Sequence, residues 1–184
     1  MENCEFLYDG WALRKVTDAI DIANFDCGDP HMNRYFREES ENYRRHLLVQ
    51  SYHFCPVEYT EPTPVMLVDL CNDAIRKEEL SADREGTLDD SGTLPAVKIA
   101  RLGRNSIFRG NGLAPHLLNA LKAFFVWNNR TGCRILTLDA YSGLVGLYRR
   151  CGFEPTLEAE SEGGKGGVVP MFFDLYPFYL NTRG

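Results

Sequence analysis

The stretch that decides the fold is Arg109-Gly110-Asn111-Gly112-Leu113-Ala114. It follows an apolar strand candidate, residues 96–103, and opens a segment in which apolar residues recur at three- and four-residue steps to about Asn129. This periodicity predicts a helix whose first N–H groups lack intrahelical acceptors and whose dipole favours an anion. The glycines let the backbone approach a ligand closely, and Arg104 and Arg109 add positive charge. The stretch therefore predicts a cradle for phosphate.

Two other kinds of phosphate site fit these glycines less well. A P-loop requires Lys and then Ser or Thr after its last glycine, whereas Leu113 and Ala114 follow Gly112. A dinucleotide-binding unit requires a tight turn straight after the strand and a third glycine, whereas residues 104–108 intervene and position 115 is proline. Asp139, near the end of the next predicted strand, keeps a nicotinamide-dependent enzyme open as an alternative.

Residues 96–157 resemble the GNAT superfamily of N-acetyltransferases in two motifs. The acetyl-CoA motif of that family, Gln/Arg-x-x-Gly-x-Gly/Ala, is similar to residues 109–114, and the strand before it is similar to residues 99–103. The second signature, F-Y-x-x-x-G-F-x-P, is similar to Leu147-Tyr148-Arg149-Arg150-Cys151-Gly152-Phe153-Glu154-Pro155. A weaker resemblance, in residues 25–28 and the helix after them, is to the toxin-related subgroup, which modifies the amino group of aminoacyl-tRNA.

The resemblance implies an α/β (α+β) fold: one GNAT domain over residues 1–184, with a mixed, mostly antiparallel twisted sheet flanked by helices. It also implies direct transfer of an acetyl group from acetyl-CoA to a primary amine, with Tyr148 as the general acid. The cofactor-binding residues that it implies are Leu102, Gly103, Arg104, Arg109, Gly110, Asn111, Gly112, Leu113 and Ala114. The first three are expected to pair with the pantetheine arm of the cofactor.

The general base and the acceptor stay open at this level. Asp69, Asp139, His116 and a chain of waters are candidate bases, and Tyr141 is a candidate pocket wall. The acceptor is a small molecule or a macromolecule that carries an amine. A non-catalytic acyl-CoA sensor and a toxin-like enzyme acting on aminoacyl-tRNA, with an antitoxin partner, are the alternatives.

Composition limits the class of protein. A chain of 184 residues with 44% hydrophobic residues suffices for one folded domain, and a homodimer is compatible with it. The net charge of −6 argues weakly against a nucleic-acid-coating protein, so binding of tRNA is not favoured. No long apolar run, secretory signal or C-x-x-C pair is present, which predicts a cytoplasmic protein with neither a membrane span nor a metal site.

The remaining pattern predicts the order of the elements. Asp29 and Pro30 form a helix-start signal, since Asp accepts from free N–H groups and proline needs none at the first position. The predicted elements, in chain order, are a strand and turn over 6–22, a helix over 30–45, strands over 47–55, 65–71 and 96–103, a helix over 112–129, a strand over 134–140, a short helix capped by Ser142, and strands over 153–157 and 168–175.

Overall fold

The computed structural model describes residues 4–17, 20–80, 92–108, 112–128, 131–157, 159 and 167–183. The described strands are β1 Cys4–Tyr8, β2 Trp11–Lys15, β3 Gln50–Pro56, β4 Met66–Arg76, β5 Thr93–Arg104, β6 Ile135–Tyr141, β7 Glu154–Pro155 and β8 Val168–Asp174. The described helices are α1 Pro30–Arg34, α2 Ser40–Arg45, α3 Leu113–Trp127, α4 Val145–Arg150 and α5 Leu175–Arg183, with a π-helical turn over Tyr35–Glu39 and short 3-10 turns at Lys77–Glu79, Ser106–Phe108 and Ser142–Leu144.

The strands form an eight-stranded sheet in the order β1-β2-β3-β4-β5-β6-β8-β7. Strands β1 to β4 pair antiparallel in succession, and β8 pairs antiparallel with both β6 and β7. Strands β5 and β6 are parallel, with Ala96–Ile99 opposite Ile135–Leu138. A mixed, mostly antiparallel sheet with flanking helices was predicted, and this prediction is confirmed.

The chain divides into two compact units, residues 1–71 with 100–121 and residues 72–99 with 122–184. In the first unit, the hairpin of β1 and β2 turns through Asp9 and Gly10, both of which have positive φ. Its core contains the buried rings of Phe25, Tyr35 and Phe36. The prediction of a single domain over residues 1–184 is not tested by this division and stays a prediction.

The helix predicted over 30–45 is present with an unpredicted π-helical turn inside it. It begins as expected, since the Asp29 carboxylate accepts from the N–H groups of His31 at 2.8 Å and Met32 at 3.1 Å. The N–H of Ser40 then donates to the carbonyl of Tyr35, five residues earlier. The Ser40 side chain accordingly faces inward, where its hydroxyl donates to the carbonyl of Phe36 at 2.9 Å.

In the second unit, apolar side chains from four strands and from Leu80, which follows a 3-10 turn, form a core. Its members are Ile75, Leu80, Leu94, Ala96, Ile135 and Phe172. The carboxylate of Asp174 lies at the end of β8 and accepts from the N–H of Tyr176 at 2.9 Å, so it caps α5. It also receives two bonds from the Arg134 guanidinium, at 2.7 and 3.0 Å. Helix α5 was not predicted, because Pro177 interrupts a segment without helical periodicity.

Other boundaries differ from the prediction. Strand β3 begins at Gln50 and not at residue 47, because Leu47 adopts a left-handed φ of 58° beyond the end of α2. The strand expected over 153–157 shortens to Glu154–Pro155. Ser142 does not cap α4: its hydroxyl donates to the carbonyl of Gly167 at 3.0 Å. The predicted loops over 76–93 and 160–167 lie largely outside the described residues.

Candidate functional site

The end of β5 is covered by aromatic rings of the first unit. Gly103 is buried, and a Cβ there would lie 2.9 Å from Cε2 of Phe36 and 3.0 Å from Cζ of Phe25. Both rings are themselves buried, at 2% and 0% exposure, so neither can move aside. On this face, the missing side chain of Gly103 therefore leaves room for the two rings. The neighbours Leu102 and Arg104 are half-buried.

The turn between β5 and α3 is held by Asn105. This side chain is 3% exposed and donates from Nδ2 to the carbonyl of Pro64 at 3.2 Å. The Asn105 N–H donates to the carbonyl of Val65 at 3.0 Å, and the Ser106 N–H donates to that of Asp26 at 2.6 Å. Residues 105–108, which intervene where a dinucleotide-binding unit would have a tight turn, therefore form an anchored segment that includes a 3-10 turn over Ser106–Phe108.

The start of α3 has the backbone expected of an anion cradle. Gly112 adopts a φ of +61°, which L side chains rarely reach, and a Cβ there would meet nothing within 4 Å. Leu113 and Ala114 form the first turn, where N–H groups have no acceptor in their own helix. Arg109, Gly110 and Asn111, the remaining residues expected to bind phosphate, lie outside the described residues.

A cavity of about 500 Å³ lies in the first unit, beside the start of α3. It is lined mainly by apolar and aromatic side chains, namely Trp11, Pro56, Tyr59, Val65, Phe108, Gly112, Leu113 and His116. His116, a candidate base, has its ring centroid 5.4 to 5.5 Å from those of Tyr8, Trp11 and Phe54. The imidazole thus packs in an aromatic cluster, while its buried Nε2 has no hydrogen-bond partner among the described residues. The role of His116 as a base stays a prediction.

Tyr148 lies on α4 in the second unit. Its side chain is 9% exposed, and its ring centroid is 6.0 Å from that of Phe153. Burial raises the pKa of the Tyr148 hydroxyl, with a smaller contribution from Cys151. A hydroxyl whose pKa lies above 10 keeps its proton at neutral pH, which is the state that a general acid requires.

The two acidic base candidates have partners of their own. Asp69 is fully buried on β4 and accepts a hydrogen bond from the Tyr35 hydroxyl at 2.6 Å. Burial raises the pKa of Asp69, and the bonds from Ser51 and Tyr35 oppose that rise. Asp139 forms an ion pair with Lys98, with 2.6 Å between Oδ2 and Nζ. Both arrangements suit structural roles, and neither carboxylate is assigned a catalytic one.

Two residues near the predicted site were missed by the sequence analysis. Asn105 could have been found from its type, because Asn commonly bonds nearby backbone in turns. Lys122, on α3, is 4% exposed and donates to the carbonyl of Cys151 at 2.5 Å. It stands on the apolar stripe of an amphipathic helix, where a lysine is unexpected and therefore informative.

Comparison with protein-family models and with curated proteins finds no match. Solved structures do match over nearly the whole chain. AtaT complexed with acetyl-methionyl-tRNAfMet has a TM-score of 0.72 and 20% identity, covering 94% of this chain and 99% of that one. A Tyr-to-Phe mutant of KacT has a TM-score of 0.71 and 16% identity, with coverage of 94% and 99%.

A third similar structure is AtaTR bound with AcCoA, with a TM-score of 0.67 and 19% identity over 95% of this chain and 99% of that one. At such identities the likeness shows the fold. No helix in the described ranges has both the length and the apolar character that crossing a membrane requires. The chain has the fold of these proteins, and the GNAT fold predicted from residues 96–157 is thereby confirmed.

Proposed function

We propose that this chain is an N-acetyltransferase that moves an acetyl group from acetyl-CoA to a primary amine by direct transfer. The observation that carries the proposal is the likeness, over 95% of the chain, to a structure that contains bound AcCoA. The two motifs at residues 109–114 and 147–155 support it independently, because they are features of the sequence and do not depend on the likeness in fold. The proposed site of action is the cytoplasm.

The described residues fit this cofactor where it is most highly charged. The pyrophosphate of acetyl-CoA is an anion, and the N-terminus of a helix favours anions. Helix α3 has fifteen residues, and its first turn begins directly after Gly112. The open space beside Gly112 leaves the backbone N–H groups of Leu113 and Ala114 approachable. Arg104, at the end of β5, adds a positive charge in the same unit.

Tyr148 is proposed as the general acid. The amine nitrogen would attack the thioester carbonyl, the new C–N bond would form as the C–S bond breaks, and Tyr148 would donate its proton to the departing sulfur. The amine would lose its own proton to solvent. Positioned proton transfer of this kind contributes about 10²–10⁴-fold to a rate. Support for this role comes from the match of Tyr148 to the tyrosine of the second motif. Burial raises the pKa of its hydroxyl, which keeps it protonated at neutral pH but makes it a weaker acid than a free tyrosine.

Aminoacyl-tRNA is the second candidate acceptor, and one observation favours it: a similar structure is AtaT with acetyl-methionyl-tRNAfMet. On the helices of the first unit, Arg34 pairs with Glu39 at 3.1 Å and Arg45 with Glu41 at 2.5 Å. Both pairs are exposed and therefore weak, so they do not decide whether these arginines could meet a phosphate backbone. The primary proposal therefore leaves the amine unspecified.

The test is release of CoA thiol from acetyl-CoA in the presence of an amine panel that includes charged tRNA. We expect at least one amine to be acetylated. Tyr148→Phe should lower kcat by about 10²-fold or more while leaving the Kd for acetyl-CoA nearly unchanged. Tyr43→Phe is the matched control, because Tyr43 is 38% exposed and lies on α2, remote in sequence from both motifs.

Each alternative has a distinct outcome. Binding of acetyl-CoA without acetylation of any amine would identify a non-catalytic acyl-CoA sensor and refute the proposal. Stabilisation by NADH and not by acetyl-CoA in a thermal-shift assay would refute both the acetyltransferase and the acyl-CoA sensor, and would favour a nicotinamide-dependent enzyme. Activity confined to charged tRNA, with a steep fall in affinity as salt rises, would establish the toxin-like alternative. Unchanged kcat in Tyr148→Phe would exclude that residue as the acid.

A further inference from the structure

Lys122 is a buried cation held by one end of the helix that carries Tyr148. Its Nζ donates to the carbonyl of Cys151 at 2.5 Å and lies 4.0 Å from the ring centroid of Phe173 and 5.7 Å from that of Phe153. Burial of an ammonium group is costly unless hydrogen bonds and nearby negative potential compensate. Burial accordingly lowers the pKa of Lys122. The side chain is stabilised by a helix carbonyl and by aromatic faces, both of which attract a cation.

The carbonyl that Lys122 contacts belongs to the cap of α4. The cap residue Cys151 donates its own N–H to the carbonyl of Tyr148 at 3.0 Å, and the N–H of Phe153 donates to that same carbonyl at 3.0 Å. Between them, Gly152 adopts a φ of +82°, and a Cβ there would lie 3.0 Å from the Phe173 ring. Two backbone bonds from the capped segment therefore converge on Tyr148.

We propose that Lys122 is a positioning residue for Tyr148, which it holds in place by fixing the C-terminal cap of α4. The proposal rests on the proposed function insofar as Tyr148 is the general acid. Lys122 acts through three contacts in series: its bond to the Cys151 carbonyl, the two N–H bonds to the Tyr148 carbonyl, and the packing of the Phe153 ring against the Tyr148 ring. Lys122 itself takes no part in proton transfer.

The test compares Lys122→Met and Lys122→Arg with a control. Methionine has a similar length and no charge, so the Cys151 carbonyl loses its donor. Arginine restores the charge and a donor and should rescue part of the effect. Lys15→Met is the control, because Lys15 is a half-exposed lysine paired with Glu5 at 3.2 Å. Lys15→Met should leave both readouts, amide hydrogen exchange and kcat, unchanged.

The first readout is amide hydrogen exchange at Cys151 and Phe153, whose N–H groups bond to the Tyr148 carbonyl. In Lys122→Met we expect exchange at these two amides to become faster by about tenfold or more, while exchange at amides of β6 stays as in the wild type. This readout does not depend on activity, so it tests the positioning even if no amine is acetylated. Unchanged exchange at both amides would overturn the proposal.

The second readout is a double-mutant cycle on kcat. Lys122→Met should lower kcat by about tenfold or more with little change in the Kd for acetyl-CoA, since small misplacements of a reacting group are costly. In a Tyr148→Phe background it should lower kcat no further, because the group that it positions is gone. Equal losses in both backgrounds would show a general structural role and refute the proposal. If Lys122→Met does not fold, the same comparison is made with Lys122→Gln, which is uncharged and one atom shorter than lysine.

Discussion

His53 makes the stability of this protein depend on acidity. It is 2% exposed on β3, and its Nε2 accepts from the N–H of Val65 at 3.0 Å, so the neutral ring carries its proton on Nδ1. Burial, with a smaller contribution from Arg14, lowers the pKa of His53 to about 4 from an ordinary value of 6.5. Between these values the unfolded chain binds a proton that the folded protein does not bind. The contribution of His53 to the free energy of unfolding is therefore fully present above pH 6.5 and is lost as the pH falls toward 4.

The magnitude follows from the difference between the two pKa values. A pKa difference of about 2.5 corresponds to a total change of about 3 kcal/mol in the free energy of unfolding, of which about 2 kcal/mol is lost between pH 7 and pH 5. Urea unfolding at a series of pH values measures this directly. His53→Gln keeps an acceptor for the Val65 N–H but cannot be protonated. The wild type should therefore lose about 2 kcal/mol more than the variant over that range.

The comparison with His53→Gln is needed because other groups also titrate. Burial raises the pKa of Asp69, which gives the opposite dependence on pH in the range just above its ordinary value. Asp69 is present in both proteins, so its contribution cancels in the difference. Equal loss of stability in wild type and variant between pH 7 and pH 5 would refute the reasoning. So would an NMR titration in which the His53 ring protonates near 6.5.

Two further predictions concern packing and ion pairing. Gly103→Ala should lower the free energy of unfolding by about 1–3 kcal/mol, because its Cβ would clash with the Phe36 and Phe25 rings. The control Gly143→Ala should be close to neutral, because its Cβ would meet nothing within 4 Å, and equal effects of the two variants in urea unfolding would contradict the packing argument. Asp174→Asn should lower the free energy of unfolding by about 3 kcal/mol, because it removes the carboxylate charge that pairs with the Arg134 guanidinium, which is only 13% exposed. An unchanged midpoint of urea unfolding would show that this ion pair does not stabilise α5.

The sequence predicted the elements whose patterns are local and strong. The α1 start was predicted from Asp29 and Pro30, because capping by a carboxylate involves residues only two or three apart. Helix α3 was predicted from a long stripe of apolar residues. In these cases the residues that determine the structure lie within a few positions of one another.

The rest depended on contacts between residues distant in sequence. The anchoring of Asn105 by Pro64 and the burial of Lys122 both depend on partners that a local pattern does not contain. Helix α5 was missed because its segment contains Pro177 and lacks helical periodicity. Its capping residue, Asp174, is bound by Arg134, forty positions earlier. At the candidate site, the assignments as cofactor or catalytic residues stay predictions for Leu102, Gly103, Arg104, Gly112, Leu113, Ala114 and Tyr148.

The π-helical turn has a consequence for how chain length can vary among relatives of this protein. Residues five apart in a regular helix point about 140° from each other, whereas residues four apart differ by about 40°. Tyr35 and Ser40 both face inward here because the wider turn absorbs one residue. A relative that lacks one residue between them would form an ordinary helix and still keep both side chains inward. The positions from Arg37 to Glu39 are therefore where a one-residue gap would be tolerated best.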